Sequence, residues 1–311
     1  SIDTLYGVPS IIGTEPGGAA WSRDGQKLAF LWNDKGGTFR DIWLYDKASG
    51  EKRQLTRLAS RVDVAQEHKG IAEVHWFGPQ AQQVAYALDG QLQLSTAQGK
   101  ILTVDTGLEG IRQLATSPDG NRLSFVASSD ADGSTNKLVK GQALWVLDYA
   151  PEKVRQVRLL LNPGHVDSSV KSHQWGRDNR QISFDLQHEG DMAKRKIHYY
   201  HKGKLQVDTV IRAFPGEPNL RFSVGVIDAQ TGKSKLLERQ DDRFPIWNYG
   251  LSARGDKLFV NESDPYVKLH RIEMYELTTG TRETFYREHD PKHLRPDWKA
   301  AWARGDDGLI I

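Results

Sequence analysis

Apolar positions along this chain come in short branched and aromatic runs, each bounded by turns rich in Asp, Gly and Ser, and that pattern predicts strands. The clearest repeat is residues 21–50. Trp21-Ser22-Arg23-Asp24-Gly25 reads as a tight turn. Leu28 to Leu31 then reads as a strand, Asn33 to Gly37 as a polar loop and Ile42 to Asp46 as a second strand. Ala48-Ser49-Gly50 turns again. Such a small antiparallel meander cannot bury its own apolar faces, so it must stack on copies of itself.

The copies are present. The same turn-plus-strand start recurs at Trp76, Thr116, Trp175, Leu251 and Trp302, at spacings of 55, 40, 59, 76 and 51 residues. The second half recurs as Leu144 to Asp148, Val224 to Asp228 and Met274 to Gly280. Periods of this size, with several strands each, are the signature of propeller blades. The expectation is therefore an all-β fold: one β-propeller spanning 1–311, with about six blades, or seven or eight if the natural chain is longer. The last repeat stops at Ile311, so the final blade is either incomplete or closed by an N-terminal strand over 5–12.

Insertions show where the repeats are decorated. Arg57 to Gly70 and Ser128 to Lys140 read as polar loops, and Leu88-Asp89-Gly90-Gln91 as a hairpin tip. The fourth repeat is the longest. His188 to Val210 reads as an extended hairpin arm projecting from its blade.

Composition removes several classes of function. The 311 residues carry a net charge of +2 and no cysteine, which excludes disulfides, thiolate metal sites and Cys nucleophiles. No apolar run approaches a membrane span, and no signal peptide is visible. The densest basic stretch, Lys194-Arg195-Lys196, is short, and no nucleic-acid partner is expected. Nine tryptophans suit packing between stacked sheets.

Four groups of residues bear on chemistry. Asp130, Asp132 and Ser134 put oxygens at alternate positions, as a calcium loop does, but Gly141 stands where the closing bidentate Glu belongs, and a plain polar loop is the preferred reading. His188, Glu189, Asp191, His198 and His201 could offer zinc ligands, yet residues three apart on a strand face opposite sides. Asp241, Asp242, Arg243, Trp247 and Tyr249 lie in and after a connection of the kind that lines a propeller mouth, where aromatic and charged groups suit recognition. Glu262, Asp264, His270 and Glu288 supply acids that a glycosidase would need to converge on one cleft. No metal or other cofactor is expected.

One segment is more specific than the repeat. Arg212-Ala213-Phe214-Pro215-Gly216-Glu217-Pro218-Asn219, followed by Val224 to Asp228 and Thr231-Gly232-Lys233, resembles the N-terminal propeller of the dipeptidyl peptidase IV family of serine peptidases. The resemblance extends from Trp175 to Ile311 and departs at Leu220, where a Pro is usual. That family places paired Glu residues before the equivalent of Trp175 to hold a substrate's amino terminus; here Asp167 is the sole acid between His165 and Lys171. The family's chemistry belongs to a separate hydrolase domain. No Gly-x-Ser-x-Gly elbow occurs in this chain, since Gly250-Leu251-Ser252-Ala253-Arg254 breaks the pattern at its last position. The resemblance implies a non-catalytic propeller, periplasmic or secreted, that gates peptide access to a hydrolase domain absent from this chain. Its partners would be peptide substrates or a protein, with the arm at 188–210 meeting the hydrolase domain or a second subunit. The alternative is a free-standing, protein-binding propeller like that of TolB, whose Trp-Ser-x-Asp-Gly turns look the same.

Overall fold

The computed structural model describes residues 13–60, 70–129, 141–149, 157–201, 203–214, 216–295, 298–306 and 308–311. Among them no α-helix occurs, and every named strand pairs antiparallel with its neighbours. The chain divides into two compact units, Ser1–Val139 with Ala143–Asn162 and Lys140–Gln142 with Pro163–Ile311.

The first unit holds three four-stranded sheets, each an up-and-down meander in chain order. They are β1 (Gly17–Trp21) to β2 (Lys27–Trp32), β3 (Asp41–Asp46) and β4 (Lys52–Gln54); β5 (Val74–Phe77) to β6 (Gln83–Leu88), β7 (Gln91–Thr96) and β8 (Ile101–Thr103); and β9 (Leu108–Thr116) to β10 (Arg122–Ser129), β11 (Ala143–Asp148) and β12 (Val157–Leu161). The sheets stack by their apolar faces. Ile42 and Leu44 of the first pack with Trp76, Val84 and Tyr86 of the second, and Leu92 and Leu94 of the second with Leu123, Phe125 and Trp145 of the third.

The second unit repeats the design. Its first sheet runs β13 (Ser168–Trp175), β14 (Gln181–His188), then, after a detour, β17 (Arg221–Asp228) and β18 (Ser234–Leu236). The detour is the expected arm, a separate two-stranded hairpin of β15 (Lys194–His201) and β16 (Lys204–Ile211). The next sheet is β19 (Ile246–Leu251), β20 (Lys257–Ser263), β21 (Leu269–Glu276) and β22 (Arg282–His289), and a short pair follows, β23 (Ala301–Trp302) and β24 (Leu309–Ile310). Val224 packs with Tyr249 and Val260, and Phe259 and Met274 with Ala300, Trp298 and Trp302.

The recurring residues at the repeat starts have a common job. Each ends the first strand of its sheet or stands one residue before its end, and after Trp21, Thr116 and Leu251 the following turn is closed by a serine. The Ser22 hydroxyl donates to Asp24 at 2.6 Å and accepts from the Lys27 amide at 2.8 Å. Ser117 repeats this with Asp119 and Arg122, at 2.6 and 3.0 Å. Gly25 and Gly120 take φ of +67° and +77°, where a Cβ is strained; at Gly120 it would also meet the Gly78 carbonyl at 2.4 Å. The tryptophan itself reaches back to the preceding sheet. Trp76 Nε1 donates to Ala20 O, and Trp302 Nε1 to Gly250 O, both at 2.9 Å. The expected hairpin tip is also observed: Asp89 and Gly90 both have positive φ, 52° and 70°, as a two-residue turn joining β6 and β7 requires. The proposed closing strand over 5–12 and the loop carrying Asp130, Asp132 and Ser134 lie outside the described residues.

Candidate functional site

Chain direction alone gathers one set of connections at one end of the second unit's two large sheets. β13, β17, β19 and β21 begin there, and β14, β18, β20 and β22 end there. Hydrogen bonds confirm the gathering. The Glu189 amide donates to Asp167 O at 2.9 Å, the Phe222 amide to Asp242 O at 2.6 Å, and the Ser263 amide to Pro245 O at 3.2 Å. Arg221 bridges the arm root to the connection, with Nε 3.1 Å from Asp191 and Nη1 3.0 Å from Asp242.

Four of the five residues singled out in sequence stand at or near this mouth. Asp167 sits 3.5 Å from His165 Nδ1. Its neighbour Ser168 is hydrogen-bonded to His188 Nδ1 at 2.9 Å, and the His165 and His188 rings meet edge to face. Asp241 and Arg243 form a two-pronged pair, at 3.0 and 2.8 Å. That guanidinium holds the Asp241 carboxyl below its usual range. Arg243 stays exposed, and Trp247 on β19 is 43% exposed. Tyr249 is different. It is 3% exposed, packs between the two sheets, and hydrogen-bonds Ser172 Oγ at 2.8 Å and Asp185 Oδ1 at 3.3 Å. The expectation that it contacts a ligand is therefore corrected: Tyr249 is an internal strut. Burial pushes the Asp185 carboxyl above its ordinary value, only partly offset by the Ser172 and Tyr249 hydroxyls.

Behind the mouth lies a buried ionic cluster that sequence reading missed. Arg239 donates to Phe222 O and Phe244 O, both at 2.6 Å, and pairs with Glu262 at 2.5 Å. Arg271 Nε bonds the other Glu262 oxygen at 2.7 Å and lies 3.2 Å from Glu273. The side chains of Arg239, Glu262, Arg271 and Glu273 are each no more than 6% exposed. Each charge is matched and hydrogen-bonded, which buried ions require. The signal was available in Leu-Phe-Val-Asn-Glu-Ser and Leu-His-Arg-Ile-Glu-Met-Tyr, where charges interrupt core-like strands.

This cluster also corrects the glycosidase acids. Both Glu262 oxygens face arginines, the Asp264 carboxylate caps its own turn through the Lys268 and Leu269 amides at 2.6 and 2.8 Å, and His270 is fully buried against Trp298. They do not face one cleft. Ser252, in the broken elbow motif, is 1% exposed and closes a blade turn through Asp256. The zinc candidates separate too. Asp191 pairs with Arg221, while His198 and His201 lie on opposite faces of β15. Among the described residues no three His, Asp or Glu gather as a metal site.

The arm is exposed along nearly its whole length. In its register Tyr200 pairs with Leu205, His198 with Val207 and Lys194 with Ile211, so Tyr200, Leu205, Val207 and Ile211 share one face. They are 77%, 55%, 48% and 38% exposed. Its base is clasped by Arg195, which reaches both Glu217 oxygens at 2.5 Å and Arg212 O at 3.1 Å, and stacks 4.1 Å over Phe214.

Stacked up-and-down sheets of this kind define the class: an all-β fold of the β-propeller type. Solved structures agree. Porphyromonas gingivalis dipeptidyl peptidase 4 superposes with TM-score 0.64 and 12% identity over 93% of this chain and 42% of its own. A putative dipeptidyl aminopeptidase IV from Bacteroides ovatus gives 0.56 and 14% over 93% of this chain and 39% of its own. The chain thus spans about two-fifths of the length of these proteins. A putative TolB from Agrobacterium tumefaciens matches at only 0.42, with 13% identity over 88% of this chain and 82% of its own, too loose to bear on function. No protein-family model matches the sequence. Identities this low establish the fold, as the sequence resemblance implied, and nothing finer.

Proposed function

We propose that this chain is a non-catalytic propeller that handles peptides for a serine peptidase domain absent from the sequence, limiting which chains reach it. The arm carries the reading. An isolated two-stranded hairpin is marginal in water, and this one exposes Tyr200, Leu205, Val207 and Ile211 on a face shared with Lys194, Lys196 and His198, in a sheet separate from both large sheets of its unit. Such a face is retained when a protein surface covers it, and the arm meets the hydrolase domain or a second subunit. The clasp of Arg195, Phe214 and Glu217 fixes its departure angle, which gives the segment resembling the dipeptidyl peptidase IV family a physical role.

The mouth supplies the peptide end. Asp167 is one acid there, and Glu189, whose amide donates to Asp167 O at 2.9 Å just beyond the ends of β13 and β14, is our candidate for the second acid of the family's pair. Asp241, Arg243 and Trp247 extend the lining. A periplasmic or secreted setting follows from the same resemblance. No helix among the described residues is long and apolar enough to cross a membrane.

The natural reading frame is the direct test. It is expected to continue past Ile311 into a domain carrying Gly-x-Ser-x-Gly, and a stop codon there defeats the proposal. In the whole protein, Tyr200→Ser with Leu205→Ser should weaken assembly measured by light scattering, while Asp167→Asn with Glu189→Gln should raise KM for peptides with a free amino terminus.

A further inference from the structure

The first sheet carries a cavity of about 450 Å3 that the proposed function does not use. This lies within the size range of small-molecule sites. Its walls are held from inside. On one side Asn33 fixes the loop after β2: Oδ1 accepts from the Lys35 and Gly37 amides at 3.0 Å, and Nδ2 donates to Phe39 O at 2.6 Å. Trp32 is pinned by its indole N–H, 2.7 Å from Thr14 O. On the other side Asp41, 2% exposed, organises residues 56–59. Oδ1 accepts from Thr56 Oγ1 and the Leu58 amide at 2.7 Å, and Oδ2 from the Ala59 amide and Gln54 Nε2 at 3.2 Å.

These buried groups are spent on the scaffold, so a ligand must be met by what remains. Asp34, Lys35 and Arg57 line the cavity and are exposed, and none has a hydrogen bond or ion pair from its side chain among the described residues. The neutral donors around Asp41 leave its charge in place, so Asp34 and Asp41 face Lys35 and Arg57, and Lys52, whose Nζ lies 4.4 Å over the Trp32 ring, is a third cation that tips the balance toward an anion. The planar fork of Arg57 matches a carboxylate, with Lys35 as a second point charge. Trp32, packed against Trp43 and with Lys52 Nζ over its ring, adds an aromatic wall that a flat apolar body meets alongside that ammonium. We propose that this cavity binds an aromatic carboxylate, its acid group between Arg57 and Lys35 and its ring against Trp32. The source is either a free aromatic acid or a peptide chain ending in an aromatic residue. The proposal stands apart from the peptidase reading, since none of these residues takes part in the mouth or the arm.

Calorimetric titration of the whole chain tests it with four probes: phenylacetate, N-acetyl-Gly-Phe, and the corresponding amides of both. At least one acid should bind saturably, and its amide should bind about tenfold or more weakly. Arg57→Gln and Lys35→Gln, both exposed and so expected to fold, should each weaken that acid by a similar factor. Tighter phenylacetate identifies a free acid as the source, and tighter N-acetyl-Gly-Phe a chain end. Failure of both acids to saturate by about 10 mM, where even a weak pocket fills, overturns the proposal. So does equal affinity for acid and amide, or an unchanged affinity in Arg57→Gln.

Discussion

Replacing Asp185 by Asn should stabilise the protein at neutral pH. The carboxyl is 6% exposed, and no cation pairs with it among the described residues. Its Oδ1 accepts from Ser172 Oγ at 2.6 Å and from the Tyr249 hydroxyl at 3.3 Å. Burial raises its pKa, so the native state binds this proton more tightly than the unfolded chain, whose Asp titrates near its ordinary value. The sign follows by linkage. The group's contribution to stability is fully present below the unfolded pKa. It is lost as pH rises through the raised native value, and above that a buried charge persists. Asn keeps the shape and the accepting oxygen without the charge. The gain near pH 7.5 is about 1–2 kcal/mol, by analogy with neutral replacements of buried ions, or roughly 2–8 °C in Tm for a protein of this size.

Calorimetric or fluorescence melts at about pH 4 and 7.5 would read the effect, which should shrink or reverse at the lower pH. Tyr249→Phe supplies the contrast. It removes two hydrogen bonds and leaves the carboxylate with Ser172 alone, so it should lose about 1–3 kcal/mol at neutral pH. If Asp185→Asn lowers Tm at neutral pH by as much as Tyr249→Phe, the carboxylate is well paired as an ion and the reasoning fails.

Three further outcomes are expected. Trp76→Phe should cost about 1 kcal/mol through the lost bond to Ala20 O, whereas Trp21→Phe, at a 55% exposed position, should be nearly neutral in the same melts. Asp228 feels burial pushing its pKa up, but the Thr231 and Gln230 amides and Arg180 outweigh it and pull the value down to about 2. Its stabilisation is present at neutral pH and lost as pH falls from the ordinary carboxylate range toward about 2, so acid titrations of the wild type and Asp228→Asn should converge only there. Val267 is a branched residue held at φ +54°. Val267→Gly should raise Tm, because relief of strain of about 1–3 kcal/mol exceeds the added chain entropy of Gly, and a fall would show that the turn is not strained.

The repeats were legible because stacking imposes them locally. Trp76 and Trp302 each bond the first strand of the preceding sheet, and Ser-x-Asp-Gly turns follow Trp21 and Thr116, so the demands of stacking are written into short local motifs that recur, with variation, from sheet to sheet. The arm was legible for the same local reason, as an insertion with its own alternating pattern. What failed was the assignment of faces around residue 249. Trp247 and Tyr249 lie two apart and were read as one recognition surface, yet a register shift between Ile246 and Asn248 disturbs the alternation in β19. One ring is left half-exposed and the other buried.

The mouth shows why a site can be present in a sequence and still be unreadable. Asp167 reads in the sequence as a lone acid, and the residue whose amide bonds its carbonyl, Glu189, is distant in the chain and arrives only once β13 and β14 pair, Ser168 opposite His188. In the same way Glu262 on β20 is recognisable in the sequence as an acid, but its role depends on Arg239, which arrives from the end of the neighbouring sheet and pairs with it. Charge type is a property of the residue, whereas availability is a property of the partners. At this end of the sheets the partners are set by strand pairing and by which connection crosses which. What the network leaves uncovered at this end is Trp247, 43% exposed, and the exposed part of Arg243 beyond its pair with Asp241, whereas the fully buried ions are spent on one another.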